Sequence, residues 1–83
     1  MQLEILTPQK SVFSGEAKLV KVPGSNGSFE IMKNHAPIIS TLIDGELKVE
    51  TESGETMLYR TSGGVAEVKM NHIVILVETI TNG

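Results

Sequence analysis

Cysteine does not occur in these 83 residues, and its lack removes disulfides, thiolate metal sites and cysteine nucleophiles together. Tryptophan is missing too, and Phe13, Phe29 and Tyr59 are the only large aromatic rings. Stacking platforms for bases are therefore few. Charge of one sign is never concentrated. Seven basic residues (Lys10, Lys18, Lys21, Lys33, Lys48, Arg60 and Lys69) stand singly against ten acidic ones, for a net charge of −3. A nucleic-acid binder gathers Lys and Arg on one face, because phosphate neutralisation supplies most of its affinity. That class is set aside. The longest apolar run, Ile73 to Val77, falls far short of the roughly 20 residues of a spanning helix. Met1-Gln2-Leu3-Glu4 has neither the basic stretch nor the apolar region of a signal peptide. Both absences point to a protein of the cytosolic side.

What is present is a chain with 40% hydrophobic residues, enough for a core and too many for wholesale disorder. Residues 1–83 are read as a single domain. At this length one core rarely supplies more than about 3–5 kcal/mol without disulfides, metals or partners. Partner docking is the remaining source of extra stability.

Period-two alternation dominates. Leu3 and Ile5 alternate with Gln2 and Glu4, Val20 and Val22 with Lys21, and Leu47 and Val49 with Glu46, Lys48 and Glu50. Each set gives a strand one apolar and one wet face. Val12-Phe13 is expected to be a short apolar patch ahead of a turn at Ser14-Gly15. The last run, His72 to Glu78, is apolar on both faces and is expected to be covered twice. A helix over Ala66 to Val77 competes through Ala66, Met70, Ile73 and Val77, but β-branched residues and the Asn71-His72 interruption oppose it. Turn signals recur at Pro23-Gly24, Asn26-Gly27, Asp44-Gly45, Ser53-Gly54, Gly63-Gly64 and Met70-Asn71. Short strands punctuated this way predict an all-β, two-sheet sandwich of about ten strands.

No constellation for chemistry stands out. Asp44, His35, His72 and several serines could spell a triad, yet no Gly-x-Ser-x-Gly elbow occurs. His35 and His72 lack any metal-ligand spacing. Glu46, Glu50 and Glu52 alternate along a strand and read as one solvated face. Gly24-Ser25-Asn26-Gly27 lacks the Lys-Ser/Thr of a phosphate loop, and Asn26-Gly27-Ser28 reads as a hairpin turn despite its sequon spelling. No catalytic residue, metal or cofactor is assigned.

Pro23 to Pro37 is the most informative stretch. It joins two glycine turns to Phe29, Ile31 and Met32 and to the corner Asn34-His35-Ala36-Pro37. Apolar residues in a turn-rich connection are poor core material, because loop backbones need water or polar partners. They are read as a contact patch. The plainer reading makes Phe29 and Ile31 an inward-facing pair on a short strand, and the two readings can coexist. The candidate partner-binding residues are Ser28, Phe29, Glu30, Ile31, Met32, Asn34, His35, Ala36 and Pro37.

Here the chain resembles the epsilon subunit of bacterial and chloroplast rotary ATP synthases. Blocks in the family's order carry the likeness: Leu3 to Pro8, Val12 to Ala17, Val22-Pro23-Gly24, Gly27, Phe29, Asn34 to Pro37, Leu42, Gly45-Glu46-Leu47, Gly63 to Val68 and Val74 to Glu78. The resemblance implies a ten-stranded sandwich at the foot of the central stalk. One part would hold the gamma subunit, and the loop around Ser28 to Met32 would rest on the c-ring of the membrane sector. It further implies a non-catalytic subunit, peripheral to the cytoplasmic face of a bacterial inner membrane, that couples rotation to ATP synthesis. The chain departs from the family pattern where Glu30-Ile31-Met32-Lys33 stands for Gly-Ile-Leu-Pro, and where Val65-Ala66 stands for Phe-Val. Nor do the 83 residues contain the two-helix hairpin that follows the sandwich in typical members, so inhibition by hairpin extension is expected to be absent.

A second class competes weakly. Biotinyl and lipoyl carriers are acidic all-β units of this size, and Met32-Lys33 matches two letters of the biotin-carrier motif. The carrier lysine needs a hairpin tip with strands on both sides, and Pro37 spoils the outgoing ladder.

Overall fold

The computed structural model describes residues 1–82. Every regular element among them is a strand: β1 Gln2–Leu6, β2 Ser11–Val22, β3 Phe29–Met32, β4 Ile38–Leu42, β5 Gly45–Thr51, β6 Thr56–Thr61, β7 Gly64–Lys69, β8 His72–Val77 and β9 Ile80–Asn82. The order β4-β7-β8-β1-β2 makes one sheet. β3-β2-β5-β6-β9 makes the second. All pairs are antiparallel except β1 with β8. The twelve-residue β2 serves both sheets, so nine strands fill ten strand positions. The two-sheet sandwich is the expected one.

β2 also corrects one expectation. Ser14-Gly15 is no turn. Ser14 pairs with Glu4 and Gly15 with Leu3 inside the β1–β2 ladder. The change of sheet comes just after, where the β2–β5 register shifts between Ala17 and Leu19. A bulge bends a strand and raises its twist without ending it. Turn-forming letters therefore mark here the approach to a bend.

The alternation read from the sequence becomes the core. Leu3 and Ile5 of β1, Val20 and Val22 of β2, Leu47 and Val49 of β5, and Ile73 and Ile75 of β8 are all fully buried. Ala17, Ile31, Leu42, Tyr59, Ala66, Val68 and Val77 complete the cluster. The Ala66–Val77 segment is two strands joined at Met70-Asn71, as its β-branched content requires. Gly64 has a steric reason to be glycine, since a Cβ there would collide with the Leu76 carbonyl of the neighbouring strand.

A candidate docking face and its rim

The stretch Ser28 to Pro37 divides by strand geometry. β3 pairs with β2 through Val22↔Phe29, Lys21↔Glu30, Val20↔Ile31 and Leu19↔Met32. Successive side chains of a strand point to opposite faces. Ile31 accordingly points inward and is fully buried, which removes it from any partner surface and corrects its assignment. Phe29 faces the same way, half-buried and packed against the core cluster. Its ring lies over Gly24, where a Cβ would meet Phe29 Cε1 at 2.9 Å. The His35 ring covers it from outside, with centroids 6.3 Å apart. The inward-facing pair thus holds for Phe29 and Ile31. Glu30 and Met32 face solvent, Met32 with 52% of its surface exposed. Ser28, Asn34, Ala36 and Pro37 are exposed and His35 is half-buried, its Nδ1 2.7 Å from the Ala36 carbonyl oxygen.

The corner beyond β3 is a second local structure. The His35 N–H donates to the Met32 carbonyl at 3.0 Å, closing a turn with Lys33 and Asn34 inside. Asn34 takes a positive φ of 68°, a value that Asn tolerates better than other non-glycine residues. Lys33 is exposed in this turn. β3 pairs with β2 and β4 with β7, so Lys33 does not sit at a hairpin tip, which opposes the carrier reading.

The larger apolar surface lies elsewhere. β8 was expected to be covered on both faces, yet Ile73, Ile75 and Val77 alone are buried, while Val74 is half-buried and Leu76 is 48% exposed. Cross-strand register sets these side chains into rows on the outer face of the first sheet. One row runs Thr41–Val65–Leu76–Leu6 and the next Ile39–Glu67–Val74–Glu4. Ile39 is 72% exposed. Charge on this face gathers toward the end that holds Glu16, Lys69 and His72, with His72 Nε2 2.7 Å from Glu4 Oε2.

At the edge the face turns into a rim. Pro37, Ile38 and Ile39 form one wall of an open groove of about 690 Å3, and Glu67, Val68, Lys69 and Met70 form the other. Met70 is 83% exposed. β4 is an edge strand paired with β7 along its length, and its far end is further tied by Ser25 N–H to the Thr41 carbonyl and Ile43 N–H to the Pro23 carbonyl, each at 2.9 Å. Sequence reasoning did not single out Ile38, Ile39, Met70 or Leu76. The signal was available, because a strand apolar on both faces at 73–77 needs a cover that 83 residues cannot furnish on both sides.

The comparisons decide the family. The family described as "ATP synthase, Delta/Epsilon chain, beta-sandwich domain" matches residues 1–83. This chain belongs to that family. The ATP synthase epsilon chain of Chlorobaculum tepidum is 37% identical over 79 residues, which is 95% of this chain and 90% of the relative. That of Chlorobium limicola is 38% identical over 80 residues, covering 96% and 91%. Among solved structures, a mitochondrial ATP synthase assembly of Euglena gracilis contains a chain that superposes with a TM-score of 0.91 at 22% identity. The match covers 96% of this chain and 51% of that one. A central stalk and c-ring assembly from Tetrahymena thermophila gives 0.83 at 19% identity, over 99% and 66%. At such identities the two structures speak for the fold. The sandwich fold is shared.

Proposed function

We propose that this domain is a non-catalytic docking element of the rotor in a membrane-associated rotary ATP synthase. The apolar outer face of the first sheet seats the gamma subunit. The loop end, with Ser28, Glu30, Met32 and the Asn34–Pro37 corner outermost, meets the polar loops of the c-ring. One observation carries the reading: Leu76 and Ile39 stand exposed in contiguous cross-strand rows, a larger and more ordered apolar surface than scattered single residues provide. Close packing behind that face suits a torque-bearing clamp, because dense interiors transmit strain with little deformation. Proton translocation and ATP chemistry belong to other subunits of such a complex.

The test uses a membrane ATP synthase stripped of its epsilon chain. Adding residues 1–83 is expected to restore proton-coupled ATP synthesis and to leave ATP hydrolysis largely unsuppressed. Failure to bind the stripped complex, or strong inhibition of hydrolysis, would overturn the proposal.

A further inference from the structure

The corner after β3 and the turn between β7 and β8 lie 37 residues apart in sequence and are joined by two reciprocal hydrogen bonds. The backbone N–H of Asn34 donates to Asn71 Oδ1 at 2.7 Å. In return, Asn71 Nδ2 donates to Asn34 Oδ1 at 3.2 Å. We propose that Asn71 is a positioning residue for docking: its side chain clasps Asn34 and holds the Asn34–Pro37 corner beside Met70, so that both walls of the rim groove meet the partner in fixed relation. The inference rests on the docking reading above and adds the device that sets its geometry.

Backbone conformation gives the first reason. Asn34, Met70 and Asn71 have φ of 68°, 50° and 60°, a region that L side chains enter at a cost. Such residues persist where their surroundings over-determine them, and they gather at functional positions. The β7–β8 turn is held on both sides. Lys69 pairs with His72 across it, and the Asn71 carbonyl accepts the Gln2 N–H at 2.9 Å. The other turn is less secure. Its second position holds Lys33, where proline would have preset the backbone, and within the turn the His35–Met32 bond alone closes it. Asn71 supplies from outside the restraint that this turn lacks within.

The groove gives the second reason. Pro37, Ile38 and Ile39 follow directly on the Asn34 corner, while Val68, Lys69 and Met70 lead into Asn71. The clasp therefore sits where the two walls converge. When the docking-competent form is only fractionally populated, apparent affinity falls by that fraction. Loosening the clasp lowers the fraction without touching the core.

Asn71→Gly keeps the left-handed turn and deletes the side chain, whereas Asn71→Asp keeps an Oδ acceptor for the Asn34 N–H. Amide exchange of Asn34, thermal midpoint, and affinity for the gamma and c-ring assembly of a stripped ATP synthase are compared with the unsubstituted chain. Asn71→Gly deletes both bonds and is expected to speed exchange at Asn34, to lower the midpoint by only a few degrees and to weaken binding about five- to tenfold, the worth of the lost clasp. Asn71→Asp should recover most of the protection and most of the affinity. Unchanged affinity in Asn71→Gly, or an Asn71→Asp chain as weak as Asn71→Gly, overturns the positioning role while leaving the docking reading intact. Failure of the unsubstituted chain to bind at all overturns both, and is told apart by that control alone.

Discussion

The outer faces of the two sheets are built on one backbone logic and present opposite surfaces. On the first sheet, Leu6, Ile39, Val65, Val74 and Leu76 share the outward rows with Thr41, Ser14 and a charged end made of Glu4, Glu16, Glu67, Lys69 and His72. On the second, Lys21 lies beside Glu30 and Lys48, and Glu50 and Arg60 continue the charged surface. There Lys48 Nζ approaches Glu50 Oε2 to 3.3 Å, with both side chains about a third exposed. In the second sheet β5 alternates cleanly between apolar and polar residues, as a strand with one face in water does, while Met57-Leu58-Tyr59 interrupts the pattern in β6. In the first, β1 alternates as well, whereas β8 is apolar throughout Ile73–Val77. The unbroken run of β8 thus marks the outward apolar rows, and regular alternation marks a surface that water already satisfies.

The contrast can be broken at its root by attacking what the faces share. Ile31 is fully buried beneath the second sheet and belongs to the common core. Ile31→Ala is expected to cost about 2–5 kcal/mol, most or all of the stability of so small a domain, and urea denaturation would show both surfaces lost in one transition. The comparison is sharpened by placing one charge on each side. Leu76→Lys on the first sheet should lower affinity for the gamma and c-ring assembly by about tenfold or more, as loss of a central apolar contact does. Leu58→Lys, at a site 41% exposed on the second sheet, should leave that affinity unchanged. Equal losses in a pull-down titration would mean that the two faces do not differ in role.

Much of the fold was legible because two-residue periodicity is a local property of the chain. Leu3/Ile5, Val20/Val22 and Leu47/Val49 were visible as pairs, and each pair is buried. The strand β4 was not foreseen. Ile38-Ile39-Ser40-Thr41-Leu42 does not alternate, since it is an edge strand with Ile39 turned outward. The candidate site was legible in part. The corner Asn34–Pro37 does stand at the surface, but Ile31 passed for a contact residue because the β2–β3 pairing that turns it inward joins segments that no local pattern connects. The Asn34–Asn71 clasp was invisible for the same reason.

Smaller effects test the wet face and the interior. Lys48→Ala is expected to change stability by about 0.5 kcal/mol or less, since exposed pairs contribute little and salt screens them. A larger change in thermal denaturation would make the second face more than a solvated surface. Thr61 Oγ1 is buried with no hydrogen-bond partner among the described residues. Thr61→Val should therefore raise stability by up to about 1 kcal/mol, because a buried unpaired hydroxyl is itself destabilising. Loss of stability on the same denaturation curve would mean that the hydroxyl has a partner after all.

The parallel seat of β1 against β8 governs how the chain assembles. Leu3 must lie beside Ile73 and Ile5 beside Ile75, so β1 waits for the distant β8 before its second neighbour exists. Pairings across such separations slow folding. Until β8 arrives, one edge of β1 remains an open template for wrong partners. Closure of this sandwich therefore waits on the synthesis of β8, and a chain stalled before it would leave that edge bare.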